Sequence, residues 1–367
     1  MRVTPATILM TLCLSTLISC DSGQETPVAV GPVNTGPWFV DQADDRGLDF
    51  VLNSGAEGRF HMPEIIGGGL AMLDLDGDTD LDLYFVQGGS MFDAGSTRNA
   101  NQLFINDNGT FRNATPDSGA DDRGYGMGVT GGDYDGDGDL DLHITNFGAD
   151  ALLRNDGDGH FTDVTDISGV GNDNWSTSSS FFDYDNDGDL DLFVVQYLVW
   201  SPDKETDCGL LLGRRDYCAP TAYEAALPDL LFRNNGDGTF TDVTRDAGIH
   251  AATGNGLGLA IGDVNDDGLD DVFVACDMTP HLLWINRGDG TFREESVVRG
   301  AALDRGGRSK AGMGTEMFDH DQDGDLDILI VNMMYQSDSF FENDGDGYFT
   351  DATESTGLAE TSAPFTR

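Results

Sequence analysis

Positive charge is what this 367-residue sequence has least of: 19 Lys and Arg stand against 66 Asp and Glu, for a formal net charge of −47. A surface of that sign argues against a phosphate-backbone partner or an anionic membrane surface, so nucleic acid is set aside. Histidine is scarce as well, and the six present form no cluster, which disfavours a transition-metal centre. No segment carries a convincing helical period. No Ser/His/Asp order, nucleophile elbow or closed metal triad is legible, so the sequence is read as a non-enzyme. What remains, with 49 glycines and a 39% hydrophobic share, suits a globular chain whose acids lie in loops.

Cysteine is limited to five residues, and their places differ in meaning. The first twenty residues, MRVTPATILMTLCLSTLISC, hold Arg2, an apolar run from Ile8 to Ile18 that includes Cys13, and then Cys20. The run is too short to cross a bilayer as a mature helix and reads as an export signal. Leu17, Ile18, Ser19 and Cys20 resemble the lipobox of bacterial lipoproteins, which implies cleavage before Cys20, a lipid on its sulfur and an envelope or cell-surface location. Residues 21–37 have the Pro, Gly and polar content of a tether, and residues 38–367 form the body. Export makes a disulfide between Cys208 and Cys218 the expectation, whereas Cys276, in DVFVAC, reads as a free thiol in a buried strand.

The body repeats. DLDGDTDLDLYF begins at Asp74, DYDGDGDLDLHI at Asp133, DYDNDGDLDLFV at Asp183, DVNDDGLDDVFV at Asp263 and DHDQDGDLDILI at Asp319. The starts lie 59, 50, 80 and 56 residues apart (133−74, 183−133, 263−183, 319−263), and the long interval holds the two cysteines, so about 200–230 reads as an insertion. Each segment is followed by a second motif such as RNDGDGHF or INRGDGTF, a hairpin turn whose Asn and Gly accept positive φ. An alternating strand such as FTDVT then follows, and small-residue strands such as GYGMGVTGG precede the acidic loops. Four short strands per unit, repeated, describe an all-β propeller of four-stranded blades.

Within each loop, oxygen side chains recur at positions 1, 3, 5 and 9, and a turn residue at position 6. A cation of calcium's size takes six to eight oxygens, and alternate residues of a tight loop can aim carboxylates at one centre. The candidate ligands are Asp74, Asp76, Asp78, Asp80 and Asp82; Asp133, Asp135, Asp137, Asp139 and Asp141; Asp183, Asp185, Asp187, Asp189 and Asp191; Asp263, Asn265, Asp267, Leu269 and Asp271; and Asp319, Asp321, Asp323, Asp325 and Asp327. Leu269 is intelligible where only a backbone carbonyl is needed. Thr79 replaces glycine at position 6, which makes the first loop the weakest. An EF-hand would need an acid at position 12, where Phe85, Ile144, Val194, Val274 and Ile330 stand instead. Up to five Ca2+ ions are expected, and His320, between two ligands, reads as solvated.

These loops resemble those of the FG-GAP or VCBS repeats found in integrin alpha-chain propellers. Together with MPEIIGGGLAMLDLDGDTDLDLYFVQGG and RRDYCAPTAYEAALPDLLFRNNGDGTFTDVTRDAGI they are similar to the bacterial relatives of cartilage acidic protein, the ASPIC/UnbV type. The resemblance implies a propeller of seven or a similar number of blades. Five complete units are legible, preceded by WFVDQADDRGLDFV, which looks like the closing strand of another, so a truncated ring is favoured over a closed five-bladed one. The expected function is a calcium-rigidified platform for a protein or glycan; the alternative is an enzyme or an accessory subunit with a site in the channel or the 200–230 insertion. Trp200 and Tyr223 read as core residues more readily than as an exposed patch. Arg287-Gly288-Asp289 reads as a turn variant, and Gly126, Gly128 and Gly131 as a strand rather than a phosphate loop.

Overall fold

The computed structural model describes residues 39–91, 100–209, 215–223, 225–333 and 335–363. The signal, Cys13, Cys20 and the tether lie outside them. The chain divides into Met1–Gln42 and Ala43–Arg367, and the architecture below is that of the second unit.

Five four-stranded antiparallel sheets follow one another. The first is β1 (Leu70–Leu73), β2 (Asp82–Phe85), β3 (Gln102–Asp107) and β4 (Thr110–Asn113); the second is β5 (Gly126–Gly132), β6 (Asp141–Asn146), β7 (Ala151–Asn155) and β8 (Phe161–Asp163). The third begins with β9 (Ser176–Phe182) and β10 (Asp191–Gln196), is interrupted by a two-stranded ribbon, β11 (Cys208–Gly209) and β12 (Arg215–Asp216), and resumes as β13 (Leu230–Asn234) and β14 (Phe240–Asp242). The fourth is β15 (Gly256–Gly262), β16 (Asp271–Cys276), β17 (Leu282–Asn286) and β18 (Phe292–Glu294), and the fifth is β19 (Gly312–Phe318), β20 (Asp327–Asn332), β21 (Ser339–Asn343) and β22 (Phe349–Asp351). This is a β-propeller-like fold, with each acidic loop joining the first two strands of a sheet.

Strand alternation decides what packs where. On β10, Leu192 and Val194 point to the second sheet and join Leu152 and Phe232, whereas Phe193 and Val195 point to the fourth and join Val272, Val274 and Trp284. The same alternation buries Tyr84 and Val86 against Leu142 and Ile144, and Phe273 and Ala275 against Ile328 and Ile330. On the fifth sheet the corresponding outward residues meet no further sheet among the described residues: Val331 is 49% exposed where Val195 is fully buried, and Phe318 is 38% exposed where Phe182 is 5%. The outer face of the first sheet is partly covered by Phe50, stacked on Phe85 at 4.4 Å, and leaves Leu70, Met72 and Leu81 exposed.

A single helical turn closes most units: α1 (Thr115–Ser118), α2 (Thr165–Ser168) and α3 (Ser296–Arg299), each followed by a glycine at positive φ; α4 (Leu358–Ser362) comes after the fifth. Four residues are too few to show a helical period in sequence. The glycine is required because a Cβ would strike the next sheet: Gly119 would meet Phe161 O at 2.2 Å and Gly300 would meet Phe349 O at 2.3 Å. The stretch expected to be a closing strand, WFVDQADDRGLDFV, forms no strand among its described residues. What it does supply is this turn, as Asp44–Arg46 followed by Gly47 at φ +84°, where a Cβ would meet Phe111 O at 2.5 Å.

Sheets are also latched to one another. In the second to fifth units the Asn of the second motif donates from Nδ2 to a carbonyl of the preceding unit: Asn155 to Leu75 O (2.9 Å), Asn234 to Tyr134 O (2.7 Å), Asn286 to Tyr184 O (2.8 Å) and Asn343 to Val264 O (2.8 Å). The far ends of the second strands are tied by another acceptor, since Gln87, Asn146, Gln196, Cys276 and Asn332 donate their backbone N–H to Asn101, Asp150, Asp229, His281 and Asp338. Asn234→Ala strands the buried Tyr134 carbonyl and frees Gly236 N–H, which costs roughly 2–3 kcal/mol. Its neighbour Asn235, on the exposed turn, should cost under about 0.5 kcal/mol as Ala. Chemical denaturation of both variants in calcium checks the difference.

Candidate metal centres

Each loop is shaped first by its own carboxylates. Asp133 Oδ1 accepts the Asp137 N–H and Oδ2 accepts Gly138 N–H at 3.1 Å; Asp183 does the same with Asp187 and Gly188, Asp263 with Asp267 and Gly268, and Asp319 with Asp323 and Gly324. Position 1 therefore ties the turn that position 6 makes. Gly138, Gly188, Gly268 and Gly324 sit at φ +82 to +102°, and Thr79 is forced into the same region at +76°, which a β-branched residue resists.

Position 9 is the buried member of each set. Asp82, Asp141, Asp191, Asp271 and Asp327 are 0–3% exposed, although each opens a strand. One oxygen accepts the N–H of position 2, from Leu75, Tyr134, Tyr184, Val264 or His320. The other accepts the N–H of the latch asparagine, Asn106, Asn155, Asn234, Asn286 or Asn343. A single carboxylate thus joins the acidic loop and the third strand and, through the asparagine of the second to fifth units, the preceding unit.

The carboxylates converge. Oxygens of Asp74, Asp76 and Asp78, of Asp133, Asp135 and Asp141, of Asp183, Asp185 and Asp191, and of Asp319, Asp321 and Asp323 lie within 4.8 Å of one another. In the fourth loop Asn265 replaces the position-3 acid, so that set has one carboxylate fewer. Position-7 residues Asp80, Asp139, Asp189 and Asp325 are not part of these clusters, nor is Leu269. Burial, and then the neighbouring carboxylates, push Asp76, Asp135 and Asp185 above the usual carboxylate range. Asp185 Oδ1 is buried with no hydrogen-bond partner. A hard divalent cation fits this donor set: all oxygen, flexible and crowded with like charge.

His320 is exposed, as expected, yet it has partners: Nδ1 lies 2.5 Å from Asp327 Oδ2 and the ring packs on Phe340 at 4.6 Å, at the loop position that holds the buried Leu75, Tyr134, Tyr184 or Val264 elsewhere. The pairing with Asp327 raises its pKa.

Cys208 and Cys218 are disulfide-bonded, and Cys276 is free and buried. Trp200 is buried, and both Trp200 and Tyr223 donate to Glu205, so they form no exposed patch. Arg287-Gly288-Asp289 is the turn between β17 and β18, with Asp289 Oδ1 accepting Thr291 N–H as Asp237 accepts Thr239 N–H. Gly126, Gly128 and Gly131 lie on β5, where a Cβ on Gly128 would meet Thr177 O at 2.5 Å. The latch asparagines were legible only as turn residues. The signal that could have found four of them is their recurrence two residues before the first turn glycine, at Gly157, Gly236, Gly288 and Gly345.

With the loops and sheets in view, comparison with known proteins gives a consistent placement. The FG-GAP-like repeat family matches residues 74–144, 133–194, 213–274 and 263–330, more than half of the chain. The chain belongs to that family. It is 33% identical to human cartilage acidic protein 1 over 115 residues, 30% of this chain and 16% of that protein, and 29% identical to the Xenopus tropicalis protein over 113 residues, 30% and 17%. The match thus spans under a fifth of those relatives. Among solved structures, an Agrocybe aegerita lectin described as recognising non-reducing terminal N-acetylglucosamine is 20% identical, with 78% of this chain and 65% of that one covered at a TM-score of 0.41. The Vibrio cholerae biofilm matrix protein Bap1 is 13% identical, with 77% and 38% covered at 0.39.

Two outcomes follow from the loop geometry. Thr79→Gly relieves the positive-φ strain and should stabilise the protein by about 1 kcal/mol while tightening the first loop several-fold for calcium, read by calorimetric titration. The second concerns pH. Burial raises Asp82 to about 6 and Asp141, Asp191 and Asp271 to about 7, above the unfolded value near 4. In chelator, the folded state therefore holds more protons than the unfolded one, so stability present at pH 4 is lost as pH rises through 6–7. Melting temperature in chelator should fall from pH 5.5 to 8, and saturating calcium, which favours the ionised form, should remove that slope.

Proposed function

We propose that this chain is an exported, calcium-rigidified binding platform for a protein or glycan partner, anchored by lipid at Cys20, rather than an enzyme. The observation that carries the reading is the convergence of three carboxylates in four of the five loops; in the fifth loop His320 also stands beside them, paired with Asp327. Bound calcium neutralises that charge and cross-links the loop. The chain's own residues do the rest: position 1 sets the turn, positions 3 and 5 supply exposed or half-buried oxygens, and position 9 transmits the order of the loop to the strands. Export is supported by the disulfide, and no helix among the described residues is long and apolar enough to cross a membrane.

A binding role is supported by the cavity of about 530 Å3 among the first strands. Its lining includes Ile65, Ile66, Met127, Leu257, Leu259 and Met313, and the hydroxyls of Thr177 and Ser178 are already given to backbone carbonyls. No titratable side chain lines it.

Elemental analysis and calorimetry in calcium and in chelator test the metal. Four or five ions per chain are expected, each adding about 1.4 kcal/mol when filled at ten times its dissociation constant. A folded, metal-free sample with an unchanged melting temperature would sink the reading. Immobilised protein probed with a glycan array and with purified matrix proteins tests the platform: capture lost in chelator supports it, and turnover of a model substrate would replace it with the enzyme reading.

A further inference from the structure

The segment Phe60–Gly68 crosses the end of the sheets without regular strand structure, yet several of its residues are buried. Met62 is 2% exposed and packs among Tyr125, Met127, Trp175 and Trp200; Ile65 to Gly68 line the cavity described above. Tyr125 holds one point of it, donating its hydroxyl to Pro63 O at 3.2 Å, and the insertion holds the rest. Glu205 Oε2 accepts Met62 N–H at 3.3 Å and Trp200 Nε1–H at 2.9 Å, and Oε1 accepts the Tyr223 hydroxyl at 2.6 Å. Glu64 is a buried carboxylate, and the Tyr217 hydroxyl donates to its Oε2 at 3.1 Å. Phe60, held at φ +62°, packs edge-on to the Tyr217 ring at 5.2 Å, with the Arg215 guanidinium 5.9 Å over its own ring.

Arg215 and Tyr217 reach this segment only because the ribbon of β11 and β12 is pinned. That ribbon is two residues per strand, with the pairs Cys208–Asp216 and Gly209–Arg215, too little to persist in water alone. The Cys208–Cys218 bond, immediately beside Tyr217, closes it. Cutting the bond leaves Tyr217 on a free loop and Glu64 buried without that donor, a state that favours withdrawal of the segment.

We propose that Phe60–Gly68 is a strap over the cavity mouth and that the Cys208–Cys218 disulfide is its redox-sensitive lock. A dithiol reductant attacks Cys208, the more exposed of the two sulfurs, and Cys218 leaves as thiolate and takes up a proton. The second reductant thiol then displaces Cys208, so two protein thiols form as the reductant becomes a disulfide. The strap loosens while the five sheets stay folded.

Hydrogen exchange on the calcium-loaded full chain, with and without dithiothreitol, tests this. Reduction should raise exchange at the amides of Met62, Glu64 and Ile66 at least tenfold, with Leu152 and Val164 on the second unit unchanged. Tyr217→Phe, with the disulfide intact, should raise the same three amides several-fold. If reduction accelerates only residues 206–218, or accelerates Leu152 and Val164 along with the strap, the lock is refuted.

Discussion

Repulsion among carboxylates sets the terms for this molecule. Four loops gather three acids within contact distance of one another, and the energy of that crowding must be offset by a cation or by protons. The chain does not leave the loops as independent surface features. Position 9, one of the converging acids in the second and third loops, carries a carboxylate of every loop into the interior, where its two oxygens receive the backbone of position 2 and of the latch asparagine. Whatever neutralises the loop therefore also holds the third strand and, one bond further on, the preceding sheet. Neutralisation of the loops, by cation or by proton, is thereby tied to the packing of the sheets.

Much of this was legible because it repeats at fixed offsets. The acidic loop and the apolar strand behind it recur five times, the turn glycine at position 6 four times, and chemistry at fixed spacing can be read before the rest of the fold is known. The disulfide was legible from compartment and proximity, and the core place of Trp200 from its neighbours. Other features were hidden for physical reasons. The acceptors that tie the far strand ends stand 14, 4, 33, 5 and 6 residues beyond their partners, since the intervening loops vary in length, so no spacing announces them. The one-turn helices are shorter than a period. His320 is exposed, and its pairing with Asp327, seven residues on, is a contact that the loop motif does not announce.

The insertion after β10 shows how a repeat acquires an individual part. Its carboxylate Glu205 gathers Met62, Trp200 and Tyr223, residues from three separate stretches, around two oxygens. Without metal, and far from the acidic loops, one side chain there does by hydrogen bonds what the loops do by charge. The two ends of the sheets are consequently fixed by different chemistries and should respond to different agents.

Among the turn glycines, Gly47, Gly119, Gly169, Gly248 and Gly300 each sit against a phenylalanine carbonyl of the sheet that follows, while Gly357 has nothing within 4 Å. Six hinges thus accompany five panels. The sixth glycine faces no carbonyl of a following sheet among the described residues; beside it Val331 and Phe318 stay exposed, as Met72 and Leu81 do at the first sheet.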